Sequence, residues 1–131
     1  MDSPTRILVS RLERLWDPYA VLDMSPRDFL GLEGTQPKSR YVSELSRTGA
    51  YHRGRVRYFV DCLRAGEDLD PIEIDNLCSG FQCYPIPVVI DGNHRLIAHL
   101  ILQRDTIPAT YGGRLDLFDY LQGDREDCPE E

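Results

Sequence analysis

Val89-Ile90-Asp91-Gly92-Asn93-His94-Arg95-Leu96-Ile97-Ala98 is the informative stretch of the chain. A β-branched run, 86–90 (IPVVI), reads as a short buried strand. Pro85 and Pro87 beside it suggest a strand start or an edge. Asp91-Gly92 then turns the chain, because glycine enters backbone conformations that other residues resist. Asn93 is placed to cap a helix, and 93–103 (NHRLIAHLILQ) is apolar enough for that helix to be buried. A first helical turn has spare backbone N–H groups at the positive end of the helix dipole, which favours an anion. His94 and Arg95 lie in that turn, so a phosphate would meet backbone donors, an imidazole and a guanidinium fork together. Asp91 could orient His94, meet a metal-phosphate or act as a base. The plainer reading is a common turn with a cap and two solvated side chains.

Working outward, 54–65 (GRVRYFVDCLRA) places Val56, Phe59, Val60 and Leu63 at helical spacing, with Gly66 as the stop. Pro71-Ile72-Glu73-Ile74-Asp75 alternates with period two and reads as a strand. Its Glu73 and Asp75 share one face, as a carboxylate pair for a divalent metal or general base, or as the polar side of an amphipathic strand. Residues 76–80 read as a turn, 106–110 (TIPAT) as a strand, and 114–121 (RLDLFDYL) as a helix ended by Gly123. Upstream, 5–16 (TRILVSRLERLW) reads as a short amphipathic helix, Ser25-Pro26 as a helix start, and 33–39 as loop. The order of elements indicates an α/β fold of the mixed α+β kind. We divide the chain into an N-terminal helical extension (1–50), a core (51–123) and an acidic tail (124–131) expected to lack structure.

The composition narrows the function. The chain has 131 residues, 41% hydrophobic and 28% charged, as expected of one soluble domain with an appendage. No apolar run approaches the roughly 20 residues of a membrane span, and no secretory signal is visible, so a cytoplasmic location without membrane contact is expected. Cys62, Cys78, Cys83 and Cys128 read as free thiols, and no metal-ligand set stands out. The net charge is −7, which argues against coating nucleic acid by bulk electrostatics. Residues 45–60 nevertheless contain Arg47, Arg53, Arg55, Arg57 and His52 without an acid. Arg47, Arg53 and Arg57 are the candidate DNA contacts, or else a solvated charge run, and Tyr51 and Tyr58 could stack on a base. His99, within the apolar helix, reads as a satisfied core histidine.

Residues 87–110 resemble the signature region of the ParB/sulfiredoxin superfamily. ParB-type proteins carry D-G-E-R-R before a helix with a small residue; here the turn is Asp91-Gly92-Asn93-His94-Arg95, with Ala98 as the small residue. Sulfiredoxins carry G-C-H-R, matched by Gly92, His94 and Arg95. Their L-Q-R-E-T-I-P-A is close to Leu102-Gln103-Arg104-Asp105-Thr106-Ile107-Pro108-Ala109. The Asp-Gly-x-His-Arg-Leu form is also similar to the DGQHR proteins that regulate DNA phosphorothioation. Pro71-Ile72-Glu73-Ile74 resembles the family's P-I-x-V strand, so the resemblance covers about 70 residues.

The resemblance implies a ParB/sulfiredoxin-like small mixed sheet flanked by helices. It also implies phosphate binding of ATP or another NTP, with or without Mg²⁺, by Gly92, Asn93, His94, Arg95, Arg55 and Tyr58. NTP hydrolysis and DNA cleavage follow as expected activities, with Asp91, His94, Arg95 and Glu73 as the catalytic candidates: Asp91 or His94 as base, and Arg95 against the phosphoryl charge. Asn93 stands where sulfiredoxin has its catalytic cysteine, which excludes sulfinic-acid reduction. A small protein of this type without a separate DNA-reading head suggests a plasmid, phage or other mobile element. The alternative is a non-catalytic regulatory or inhibitory module that keeps the fold and acts through a protein or DNA partner, with residues 1–50 as the protein-binding segment.

Overall fold

A computed structural model of the chain describes residues 5–32, 47–76 and 86–129. The described elements are β1 (Thr5–Leu8), α1 (Val9–Glu13), α2 (Pro18–Val21), a 3-10 turn (Pro26–Phe29), α3 (Arg47–Arg64), β2 (Ile72–Asp75), β3 (Val88–Asp91), α4 (Asn93–Ile101), β4 (Thr106–Tyr111) and α5 (Leu115–Gln122). The fold is mixed α+β, as the order of patterns indicates. Loop 33–39 and most of the turn 76–80 lie outside the described residues.

The chain divides into two compact units. The first comprises Met1–Asp17, Asp70–Gly92 and Asp105–Glu131 and holds the sheet, in the order β1-β4-β2-β3. β1 pairs antiparallel with β4, β4 parallel with β2, and β2 antiparallel with β3. Ile7, Ile72, Ile74, Val89, Ile107 and Ala109 are buried along these strands. β4 is paired on both sides although it contains Pro108; its ladder with β2 starts one residue later, at Ala109. The missing proline N–H is thus kept off that ladder. β3 ends the strand order, the edge position that its flanking prolines suggest.

The N-terminus corrects one expectation. Residues 5–8 form a strand, not the first turn of a helix, and the helix is reduced to Val9–Glu13. Pairing with β4 overrides the helical spacing: Ile7 lies opposite Ile107, and Arg6 donates to the Thr106 hydroxyl at 2.8 Å. β1 therefore belongs to the same sheet as the core strands. In the acidic stretch, Arg11 donates to the carbonyl of Arg125 at 2.6 Å, and the Asp124 N–H to that of Asp119 at 2.9 Å.

The second unit comprises Pro18–Leu69 and Asn93–Arg104. Here α3 packs on α4 around Phe29, Leu32, Val56, Val60, Leu63, Ile97 and Ala98. Ser25 and Asp28 form a reciprocal cap at the 3-10 turn, with Pro26 in its first position. α3 begins seven residues before its clean apolar period. It ends at Gly66, whose φ of +84° suits the left-handed stop. His99 is 2% exposed, with Nδ1 2.7 Å from the Arg95 carbonyl, so it is a satisfied core histidine.

Candidate phosphate-binding site

The Asp91–Arg95 motif adopts the strand, turn and helix expected of it. β3 ends at Asp91, Gly92 has a φ of +110°, and α4 begins at Asn93. The helix thus includes Asn93 rather than starting after it. The boundary between the two units falls between Gly92 and Asn93, so each half of the motif has its own neighbours.

In the first unit, Gly92 lies against Ile72. A Cβ at this position would collide with the Ile72 side chain and stand 3.1 Å from its Cα. Glu73 lies directly opposite Asp91 across the β2–β3 ladder, and both are exposed. The register then shifts, pairing Ile74 with Val89 and leaving Ile90 as the extra, half-exposed residue. The carboxylate facing Glu73 across the strands is therefore that of Asp91, while Asp75, two residues along β2, lies opposite Val88. Among the described residues, no three His, Cys, Asp or Glu side chains converge to hold a metal ion.

In the second unit, the first turn of α4 meets α3. His52 Nδ1 lies 2.8 Å from His94 Nε2, and the two rings stack with centroids 5.0 Å apart. Tyr51 stands edge-on to both, 5.4 Å from the His52 ring and 6.1 Å from that of His94. Only one proton fits between the facing nitrogens, so one imidazole donates and the other accepts. The pair can be neutral, or carry one positive charge by protonation at an outer nitrogen. A second charge would break the contact by setting two N–H groups against each other. Asn93, His94 and Arg95 are all half-buried.

The basic segment resolves into different roles. Arg53 is 2% exposed and donates to the carbonyls of Asp28 at 2.9 Å and Leu30 at 2.7 Å. It ties α3 to the 3-10 turn and is not on the surface where DNA would reach it. Arg53→Ala removes donors from both carbonyls and is expected to cost about 2 kcal/mol. A denaturant midpoint unchanged at constant m-value would contradict this. Arg57 lies 3.6 Å from Asp61 one turn on. Arg47 begins α3, and its side chain lies outside the described residues. The Arg55 guanidinium lies over the rings of Tyr58 and Phe59, 5.6 and 4.9 Å from their centroids. Tyr58 bonds to Cys62, and that bond and the nearby thiol raise the phenol's pKa above its ordinary value.

Of the sequence-read nucleotide ligands, the structure places Asn93, His94 and Arg95 in one helical turn. Arg55 and Tyr58 lie together on the adjacent helix. His52 is the residue that sequence reasoning missed. It entered only as part of a basic run, and no spacing rule links it to His94, 42 positions away. Comparison with protein-family models, with curated proteins and with solved structures finds no match.

Proposed function

We propose that the chain binds the phosphates of a nucleotide at the first turn of α4, with NTP hydrolysis as the activity this site serves. The observation that carries the reading is the 2.8 Å contact between His52 and His94. It holds an imidazole of the α4 first turn in a set orientation, in a nine-residue helix whose leading N–H groups and dipole favour an anion. A phosphate stabilises the singly charged form of the pair. Arg95, in the same turn, supplies the planar fork that suits phosphate oxygens. For hydrolysis the neutral pair is the base: His94 donates its Nε2–H to His52 Nδ1 and takes the proton of the attacking water at its own Nδ1, giving the singly charged pair that the phosphate stabilises. Any Mg²⁺ arrives with the triphosphate and is held mainly by it. The resemblance of Asp91–Arg95 to the ParB/sulfiredoxin signature supports the same ligand class.

The test is calorimetry of ATP, ADP, CTP and GTP with and without Mg²⁺, on wild type and Arg95→Ala. We expect micromolar binding of at least one nucleotide, weakened at least tenfold by the substitution, as for a lost charge-assisted contact. Absence of binding to all four, or equal affinity in the variant, would contradict the proposal and favour a non-catalytic module.

A further inference from the structure

Arg55 and the two exposed tyrosines of α3 form a stripe that touches the phosphate site only at Tyr51, edge-on to the His52 and His94 rings. At 3.6 residues per turn, Tyr51, Arg55 and Tyr58 fall within about 60° of arc on one face of the helix. Tyr51 is 59% and Tyr58 56% exposed, high for large aromatic side chains. Arg55 is also exposed, its guanidinium 5.6 Å from the Tyr58 ring centroid. The two tyrosines are about 10.5 Å apart along the axis, roughly three base steps of a stacked strand. No acidic residue occurs from 45 to 60. The acids at the far end are Asp61, which pairs with Arg57, and Glu67, whose charge reaches the Tyr58 phenol.

We propose that the Tyr51–Arg55–Tyr58 stripe binds single-stranded nucleic acid, with bases stacked on the two phenol rings and Arg55 meeting a phosphate between them. Stacking on aromatic faces is the chemistry such strands offer and tolerates any base sequence. A duplex is disfavoured because its base faces are hidden, and a chain of net charge −7 lacks the broad basic field that holds a duplex by its backbone. Tyrosine and arginine also anchor protein interfaces, so a protein partner is the competing occupant, and it would leave both oligonucleotide arms without binding. The strand runs from Tyr58 toward the N-terminal end of α3, away from Glu67.

Fluorescence anisotropy with labelled oligothymidylate and oligouridylate of about 15 nucleotides, against a duplex of equal length, tests this. Single strands are expected to bind in preference to the duplex, and the two arms show whether DNA or RNA is favoured. Tyr51→Ala and Tyr58→Ala are each expected to weaken binding about fivefold or more, while Tyr51→Phe and Tyr58→Phe stay within about twofold. Raising salt from about 50 to about 200 mM should cost less than about tenfold, as for one or two phosphate contacts. Both positions are exposed, and thermal melts confirm that the variants remain folded. No binding of either strand, duplex binding as tight as single-strand binding, or unchanged affinity in both alanine variants would overturn the proposal. Tyr58→Ala keeps the test apart from nucleotide binding at α4, because Tyr58 has no ring contact with His52 or His94 among the described residues, whereas Tyr51 borders both.

Discussion

Gly92→Ala is expected to destabilise the fold by about 4 kcal/mol and to lower the melting midpoint by roughly 15 °C. Two costs add. The backbone at Gly92 has a φ of +110°, which a Cβ disfavours by about 1–2 kcal/mol. The new methyl would also collide with Ile72, which is fully buried on β2 and paired with Ala109 of β4. Overpacking against a side chain held in that way costs about 1–3 kcal/mol. Gly66→Ala is the control. Gly66 also has a positive φ, +84°, but nothing lies within 4 Å of its would-be Cβ. It should lose only about 1 kcal/mol. Equal losses in the two variants would show that the contact with Ile72 carries no weight. The total stability of a domain this size is about 5–15 kcal/mol, so Gly92→Ala falls close to the limit of folding.

Asn76→Ala should cost about 3 kcal/mol, because one fully buried amide satisfies three groups. Its Oδ1 accepts from the Tyr111 hydroxyl and from the backbone N–H of Arg114 at 3.1 Å. Its Nδ2 donates to the Ile86 carbonyl at 3.1 Å. Arg114 is the N-cap of α5 and makes no side-chain cap bond of its own, so Asn76 supplies an acceptor beside that helix start. Tyr111 is buried, which raises its phenol pKa and keeps the hydroxyl a donor. Arg114 in turn holds Asp116 through two bonds, at 2.7 and 3.1 Å, which lower that carboxyl's pKa below its ordinary value. Tyr111→Phe removes one donor and should cost about 1 kcal/mol. A double-mutant cycle with Asn76→Ala should then show coupling, and simple additivity would contradict the shared bond.

The sequence reads well where local pattern and tertiary demand agree. The Ile72–Asp75 strand, the β3-turn-α4 passage, β4 and α5 all follow from periodicity with glycine or proline punctuation. It reads poorly where pairing partners are far apart. Thr5–Leu8 fits a helical spacing, and its strand depends on β4, about 100 residues downstream. Arg53 looks like a surface charge within an arginine run. Its role depends on the carbonyls of Asp28 and Leu30, which no pattern reveals. The site divides in the same way. Asn93, His94 and Arg95 are legible because a helix start is a local event, whereas His52 acquires meaning only when α3 packs on α4.

His52 and His94, joined at 2.8 Å, are expected to respond to an anion as one unit. The most direct measurement is an NMR titration of the imidazole nitrogens with inorganic pyrophosphate and then with ATP. The His52 and His94 ring signals should shift together and saturate at one concentration, along with the backbone amides of Asn93, His94 and Arg95. Ring signals that stay fixed at millimolar ligand, or shifts confined to residues outside this turn, would contradict it.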